Sequence, residues 1–169
     1  MKGAARIAIT SWFSLAVSMA QPGASEVTPS PGPTNYPVKI VIKDKNGKCS
    51  VDSWGPKTSL RVSVSRKDTV TWQFQNDCSK DMTLEVANFQ PHGPSVKPGE
   101  PAEKDPLDDK CARKAAVSHR KTGEFKCGFK LTFKGPNAIY HYPEDARTYK
   151  YDILGDGQPL LDPEIEVRP

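Results

Sequence analysis

Histidine is scarce in this 169-residue chain, with only His92, His119 and His141, and no two of them stand at metal-ligand spacing. There is no Gly-x-Ser-x-Gly elbow, no Gly-rich phosphate cradle and no regular oxygen-ligand spacing of an EF-hand. The four cysteines contain no C-x2-C pair, which removes the common dithiol redox motif and the close spacing of a structural zinc site. No apolar stretch after residue 20 is long enough to cross a bilayer. Long amphipathic helices are also missing, and 16 prolines break up the chain. Together these gaps point away from catalysis and toward a non-catalytic β protein with no expected cofactor.

The start of the chain reads as a targeting segment. Lys2 and Arg6 precede an apolar run from Ile7 to Met19, and Ser18-Met19-Ala20 places small residues at a cleavage position. Residues 1–20 are therefore expected to be a signal peptide, cut after Ala20. Residues 21–37 are rich in Pro, Gly, Ser and Thr and read as a disordered tether. Residues 38–169 are long enough for one domain with one core. Loss of Lys2 and Arg6 lowers the formal charge from +4 to +2, too little to imply nucleic acid. Export to a periplasm or the outside fits the even cysteine count. Cys49, Cys78, Cys111 and Cys127 allow three pairings, of which Cys49–Cys78 with Cys111–Cys127 is favoured.

Period-two alternation organises the remainder. Val70, Trp72 and Phe74 share one face of a strand, with Thr69, Thr71, Gln73 and Gln75 on the other. Similar runs cover 38–43, 48–51, 60–65, 82–86, 129–133, 138–142, 149–154 and 164–168. Asn46-Gly47 marks a hairpin turn. The link at 66–68 makes the strands on either side antiparallel neighbours, or members of two sheets. Trp54 is read as core, and His141 shares an inward face with Ile139. Residues 90–110 carry too many prolines for a central strand and form a long excursion. Residues 112–117 are expected as one or two helical turns, and 118–123 as a turn. Seven to nine short strands predict an all-β, antiparallel Greek-key β-sandwich, with a small closed barrel as the alternative.

Three segments carry a family resemblance. KDTVTWQFQND at 67–77 resembles the Gly-Asp-Thr-Val-x-Trp-x-Asn-x-Asp strand of plastocyanin-like cupredoxins. ARTYKY at 146–151 and EIEV at 164–167 resemble the last two strands of that family. The resemblance implies a cupredoxin-like sandwich carrying a disulfide-braced insertion. In that family a Cys-x2–4-His-x2–4-Met loop grips type 1 copper, a soft and nearly trigonal site. Here 152–162 reads DILGDGQPLLD, without Cys, His or Met, and no His follows Asn76-Asp77 closely. Blue-copper electron transfer is thus not expected. The alternative is copper handling at a non-blue site drawn from His92, His141 and Met82.

The favoured function is recognition. Basic residues gather between Lys110 and Lys134, and the rim spanning 89–127 offers His92, Arg113, Lys114, His119, Arg120 and Lys121. These suit an envelope protein or another anionic ligand. Phe125 and Phe129 give the segment an aromatic content compatible with nucleic acid, but export argues against that partner.

Overall fold

A computed structural model describes residues 32–93, 105–131 and 137–169. The expected signal peptide at 1–20 and most of the expected tether lie outside the described residues, as do 94–104 of the expected insertion and 132–136. Ten strands follow one another: β1 Asn35–Lys45, β2 Lys48–Gly55, β3 Leu60–Ser63, β4 Thr69–Asp77, β5 Met82–His92, β6 Lys114–Val117, β7 Lys121–Gly128, β8 Arg147–Gly155, β9 Gln158–Leu161 and β10 Glu164–Arg168. They form two sheets, one ordered β2-β1-β4-β7 and the other β3-β10-β8-β5-β6, with β9 also paired to β8. The expected all-β sandwich is present. It is not wholly antiparallel, because β1 runs parallel to β4 and β3 parallel to β10.

The alternation in β4 sets the core. Val70, Trp72 and Phe74 are fully buried, and Trp72 packs against Phe125 at 5.5 Å and edge-on to Tyr151 at 6.1 Å. Within the sheet facing Trp72, Phe89 of β5 stacks on Tyr151 of β8 at 5.1 Å. Offset and edge contacts of this kind add to the apolar area removed from water. Trp54 is half-buried against the same cluster, in keeping with its core reading. The two disulfides are Cys49–Cys78 and Cys111–Cys127. The first ties β2 to the exit of β4, and the second ties β7 to the chain before β6.

The link at 64–68 carries the chain from one sheet to the other, so β3 and β4 are not hairpin partners. Asp68 makes the crossing. Its buried carboxylate accepts the N–H of Ser63 at 2.8 Å, the N–H of Thr34 at 3.0 Å and an Arg66 Nη2–H at 2.6 Å.

Several elements differ from the sequence reading. Residues 114–117 are strand, not helix. β7 occupies 121–128, while Phe129 forms only an isolated bridge to Leu107. Gly123 looked like a turn residue, yet it faces inward where β6 approaches. A Cβ there would lie 2.6 Å from Val117 Cγ2. β5 runs on through Pro91 to His92. Its proline is tolerated because β6 covers only the Met82–Glu85 half, leaving the later half at an edge. Residues 138–142 are not a strand: Ile139 is 75% and Tyr142 54% exposed, and His141 is exposed rather than inward. Local bonds close this segment instead. Asp145 accepts the His141 N–H at 2.5 Å and returns its own N–H to the His141 carbonyl at 2.7 Å. β1 also begins at Asn35, inside the stretch read as tether.

Candidate binding corner

The turn at 118–120 joins β6 to β7 and so links the edges of the two sheets. Its conformation is imposed by Asn76, the last inward residue of β4. The fully buried Asn76 amide donates to the carbonyls of Lys80 at 2.9 Å and Val117 at 2.8 Å, and its Oδ1 accepts the Cys78 N–H at 3.1 Å. The Asn76 backbone carbonyl accepts the Arg120 N–H at 2.7 Å. Arg120 sits at φ 58°, a left-handed conformation unusual for a residue with a Cβ. One side chain thus satisfies three backbone groups and sets where the turn projects.

The turn is also fastened from the β4–β5 connection. Asp81 Oδ1 accepts the His119 N–H at 2.8 Å, and His119 Nδ1 hydrogen-bonds the Cys78 carbonyl. Cys78 is itself anchored by its disulfide to Cys49. Arg120 and Lys121 then stand exposed at the tip. Among the described residues, neither side chain meets a carboxylate in an ion pair.

The other basic residues of the expected rim are placed differently. Arg113 pairs with Asp105, and Lys114 Nζ pairs with Glu85 Oε2 at 3.0 Å. Both are neutralised where they stand. His92 lies at the far end of β5, with Nε2 3.6 Å from Glu164 Oε1. The six residues therefore do not form one patch; His119, Arg120 and Lys121 come together, Arg113 and Lys114 form paired neighbours, and His92 is apart. The alternative copper set is dispersed as well. Met82 is buried at the start of β5 and His92 exposed at its end, ten residues of strand or roughly 33 Å away. No cluster of three His, Cys, Asp or Glu able to hold a metal occurs among the described residues.

A shallow trough of about 500 Å³ starts one residue beyond the corner. It crosses the outer face of β1, β4 and β7 between Lys39, Val41, Gln73, Gln75, Thr122 and Glu124. Gln73 donates to Glu124 at 3.1 Å, and Gln75 donates to Asp77 at 2.8 Å. Its polar groups are therefore held in place while remaining wet.

Sequence reasoning passed over Asn76 and Asp81, the residues that build the corner. In the sequence, Asn76-Asp77 looks like a polar close to the strand of Trp72. Its place on the inward face of β4, in step with Phe74, was the available signal. Replacing Asn76 by alanine leaves three backbone groups without their partner. The expected loss is about 2–4 kcal/mol of stability, read as a lower urea midpoint at unchanged slope. A loss below about 0.5 kcal/mol would contradict this account.

No protein-family model matches the sequence, and no curated protein matches it. Among solved structures, the chain is similar to the CupB2 chaperone of Pseudomonas aeruginosa, at 15% identity over 66% of this chain and 53% of that one, with a TM-score of 0.41. It is similar to the CsuC–CsuE chaperone–tip adhesion subunit complex of Acinetobacter baumannii, at 8% identity over 65% and 48%, with a TM-score of 0.42. The McoA multicopper oxidase 2F4 variant of Aquifex aeolicus matches at 12% identity over 86% of this chain and 32% of that one, with a TM-score of 0.41. The chain spans about half the length of the chaperone chains it matches. Likeness at this level extends no further than an all-β sandwich. No helix among the described residues is long and apolar enough to cross a membrane.

Proposed function

We propose that this chain is an exported, non-catalytic binding protein, built on a cupredoxin-like sandwich without type 1 copper ligands. It recognises an anionic group of its partner at the β6–β7 corner. The observation that carries this reading is the pair Arg120 and Lys121. Both cations are presented at a turn whose backbone is held by Asn76 and Asp81, and among the described residues neither is spent on a carboxylate. Fixing the backbone in advance lowers the ordering cost of binding. Two disulfides support an oxidising compartment. The adjoining trough gives a partner further polar contacts.

Charge reversal tests the reading. Arg120→Glu with Lys121→Glu is expected to elute from a sulfated-polysaccharide column at clearly lower salt than the native chain. The control is Lys57→Glu with Lys67→Glu, which changes net charge equally but lies away from the corner. Equal losses of retention in the two variants would mean that net charge, not this corner, governs binding.

A further inference from the structure

Among the described residues only two large apolar side chains stand exposed, Ile139 and Tyr142, and both lie on the segment that leads into β8. This is the end of the sandwich where β3 and β10 finish and β4 and β8 begin, opposite the β6–β7 corner. The segment is held firmly. The Ala146 N–H donates to the Pro143 carbonyl at 3.1 Å and Arg147 Nη1 donates to the Glu144 carbonyl at 3.1 Å, beside the bonds between His141 and Asp145. The Arg168 guanidinium covers the Tyr142 ring at 4.4 Å. Ile139 is therefore a fixed apolar knob. Next to it lies an open hollow of about 420 Å³, walled by Val64, Ser65, Leu131, Tyr140 and Pro169. Its walls are fixed as well. The Tyr140 hydroxyl donates to the Leu131 carbonyl at 2.7 Å, and the Ser63 and Ser65 hydroxyls donate to the Pro169 carbonyl at 2.9 and 3.1 Å. Exposed apolar surface of this kind marks a contact.

We infer that this end pairs with a second copy of the chain, each copy seating Ile139 in the hollow of the other. A two-fold interface needs one surface that offers both parts, because residue i meets j while j meets i. Knob and hollow here are neighbours, with Tyr140 walling the hollow directly after Ile139. The charges suit the same occupant. Lys67 is exposed on the link that supplies Val64 and Ser65, and Glu144 is exposed on the knob segment. Among the described residues, neither meets an ion-pair partner. Seating the knob brings Glu144 of one copy to the Lys67 side of the other, so opposite charges meet twice. An anionic bilayer would instead meet Glu144 with repulsion. The two apolar side chains and the rim of the hollow cover roughly 300–500 Å² per copy, short of the roughly 800 Å² per partner of a standard stable interface. The dimer is therefore weak and forms at high local concentration. β4 spans nine residues, roughly 30 Å, from this end to the corner, so the two corners of the dimer face away from each other.

Sedimentation equilibrium of the full chain between about 5 µM and about 1 mM tests this. The native chain is expected to dimerise reversibly with a Kd on the order of 100 µM, as suits a contact below the standard size. Ile139→Asp removes the knob and Ser65→Trp fills the hollow. Each alone is expected to weaken dimerisation about tenfold, the effect of losing a central anchor. Mixed, the two variants are expected to associate more tightly than either does alone, because the intact Ile139 of one meets the open hollow of the other. Lys67→Glu, an exposed charge change, is expected to weaken the dimer about two- to fivefold, and Glu144→Lys on the same chain to recover it. A native chain that stays monomeric at the highest concentration overturns the inference. So does a mixture that associates no better than its parts, or Ile139→Asp dimerising like the native chain. Cosedimentation with phosphatidylserine vesicles that Ile139→Asp abolishes, in a chain that forms no dimer, would give this surface to lipid instead. Arg120→Glu with Lys121→Glu is expected to dimerise like the native chain, so the binding corner and this interface stand or fall separately.

Discussion

Trp72→Ala is expected to cost about 3–5 kcal/mol, the range for removing a large aromatic from a packed core. Trp72 is fully buried on the central strand of its sheet, where it meets Phe125 alongside and Tyr151 across the sandwich. Alanine would leave a hole lined by rings that cannot all collapse into it. Its indole N–H donates to the Tyr151 hydroxyl at 3.4 Å, and burial pushes that phenol up to about 12. The indole is therefore the donor that this buried oxygen meets from the facing sheet. Trp72→Phe separates the two effects: it keeps most of the apolar volume and loses the hydrogen bond. A domain with ordinary stability of about 5–15 kcal/mol would be brought near its folding threshold by the alanine change alone. Urea denaturation followed by Tyr and far-ultraviolet signals measures both variants. A cost below about 1 kcal/mol for alanine would mean that Trp72 does not centre the core.

Asp68→Ala is the second large effect, expected at about 2–4 kcal/mol because it removes the buried acceptor of the Ser63 and Thr34 N–H groups and of the partly exposed Arg66 guanidinium. Burial alone would push the Asp68 carboxyl up. Arg66 and the N–H groups of Ser63 and Thr34 outweigh it and hold the group below its ordinary 3.8. A depressed carboxyl binds its proton less readily when folded than when unfolded. Its stabilisation is thus complete above about 3.8 and disappears as pH falls through the lower folded value. The native urea midpoint is expected to drop as pH is lowered from 5 to 2, and Asp68→Asn should reduce that slope. An unchanged slope would show that other carboxyls carry the acid sensitivity.

The sandwich was legible because β4 alternates cleanly, and because the strands containing Tyr149 and Ile165 do the same. β7 was missed because its inward sequence is Gly123, Phe125, Cys127, and a glycine in a strand looks like a break. Only the close approach of Val117 explains it, and that contact comes from the neighbouring strand. β6 was read as helix because alanines at 115 and 116 suit a helix. Pairing with β5 outweighed that weak preference. Three members of the candidate site were visible as a basic run. What the run could not reveal was the pairing of Arg113 with Asp105 and Lys114 with Glu85. Those partners lie far enough along the chain that charge spacing alone does not select them. The role of Asn76 was hidden for the same reason, since its partners at 80, 117 and 120 meet only in the folded molecule.

The β6–β7 turn joins the two sheets along one flank, and residues 106–108 hydrogen-bond beside the end of β7 on that side. The other outermost strands of the two sheets, β2 and β3, lie on the opposite flank. β2 is guarded by Asp52, which a register shift sets between Lys43 at 2.8 Å and Lys45 at 3.4 Å, while β3 is only four residues long. Pairing of two copies along β2 would have to part those ion pairs first, so the charged edge disfavours growth of the sheet from that side.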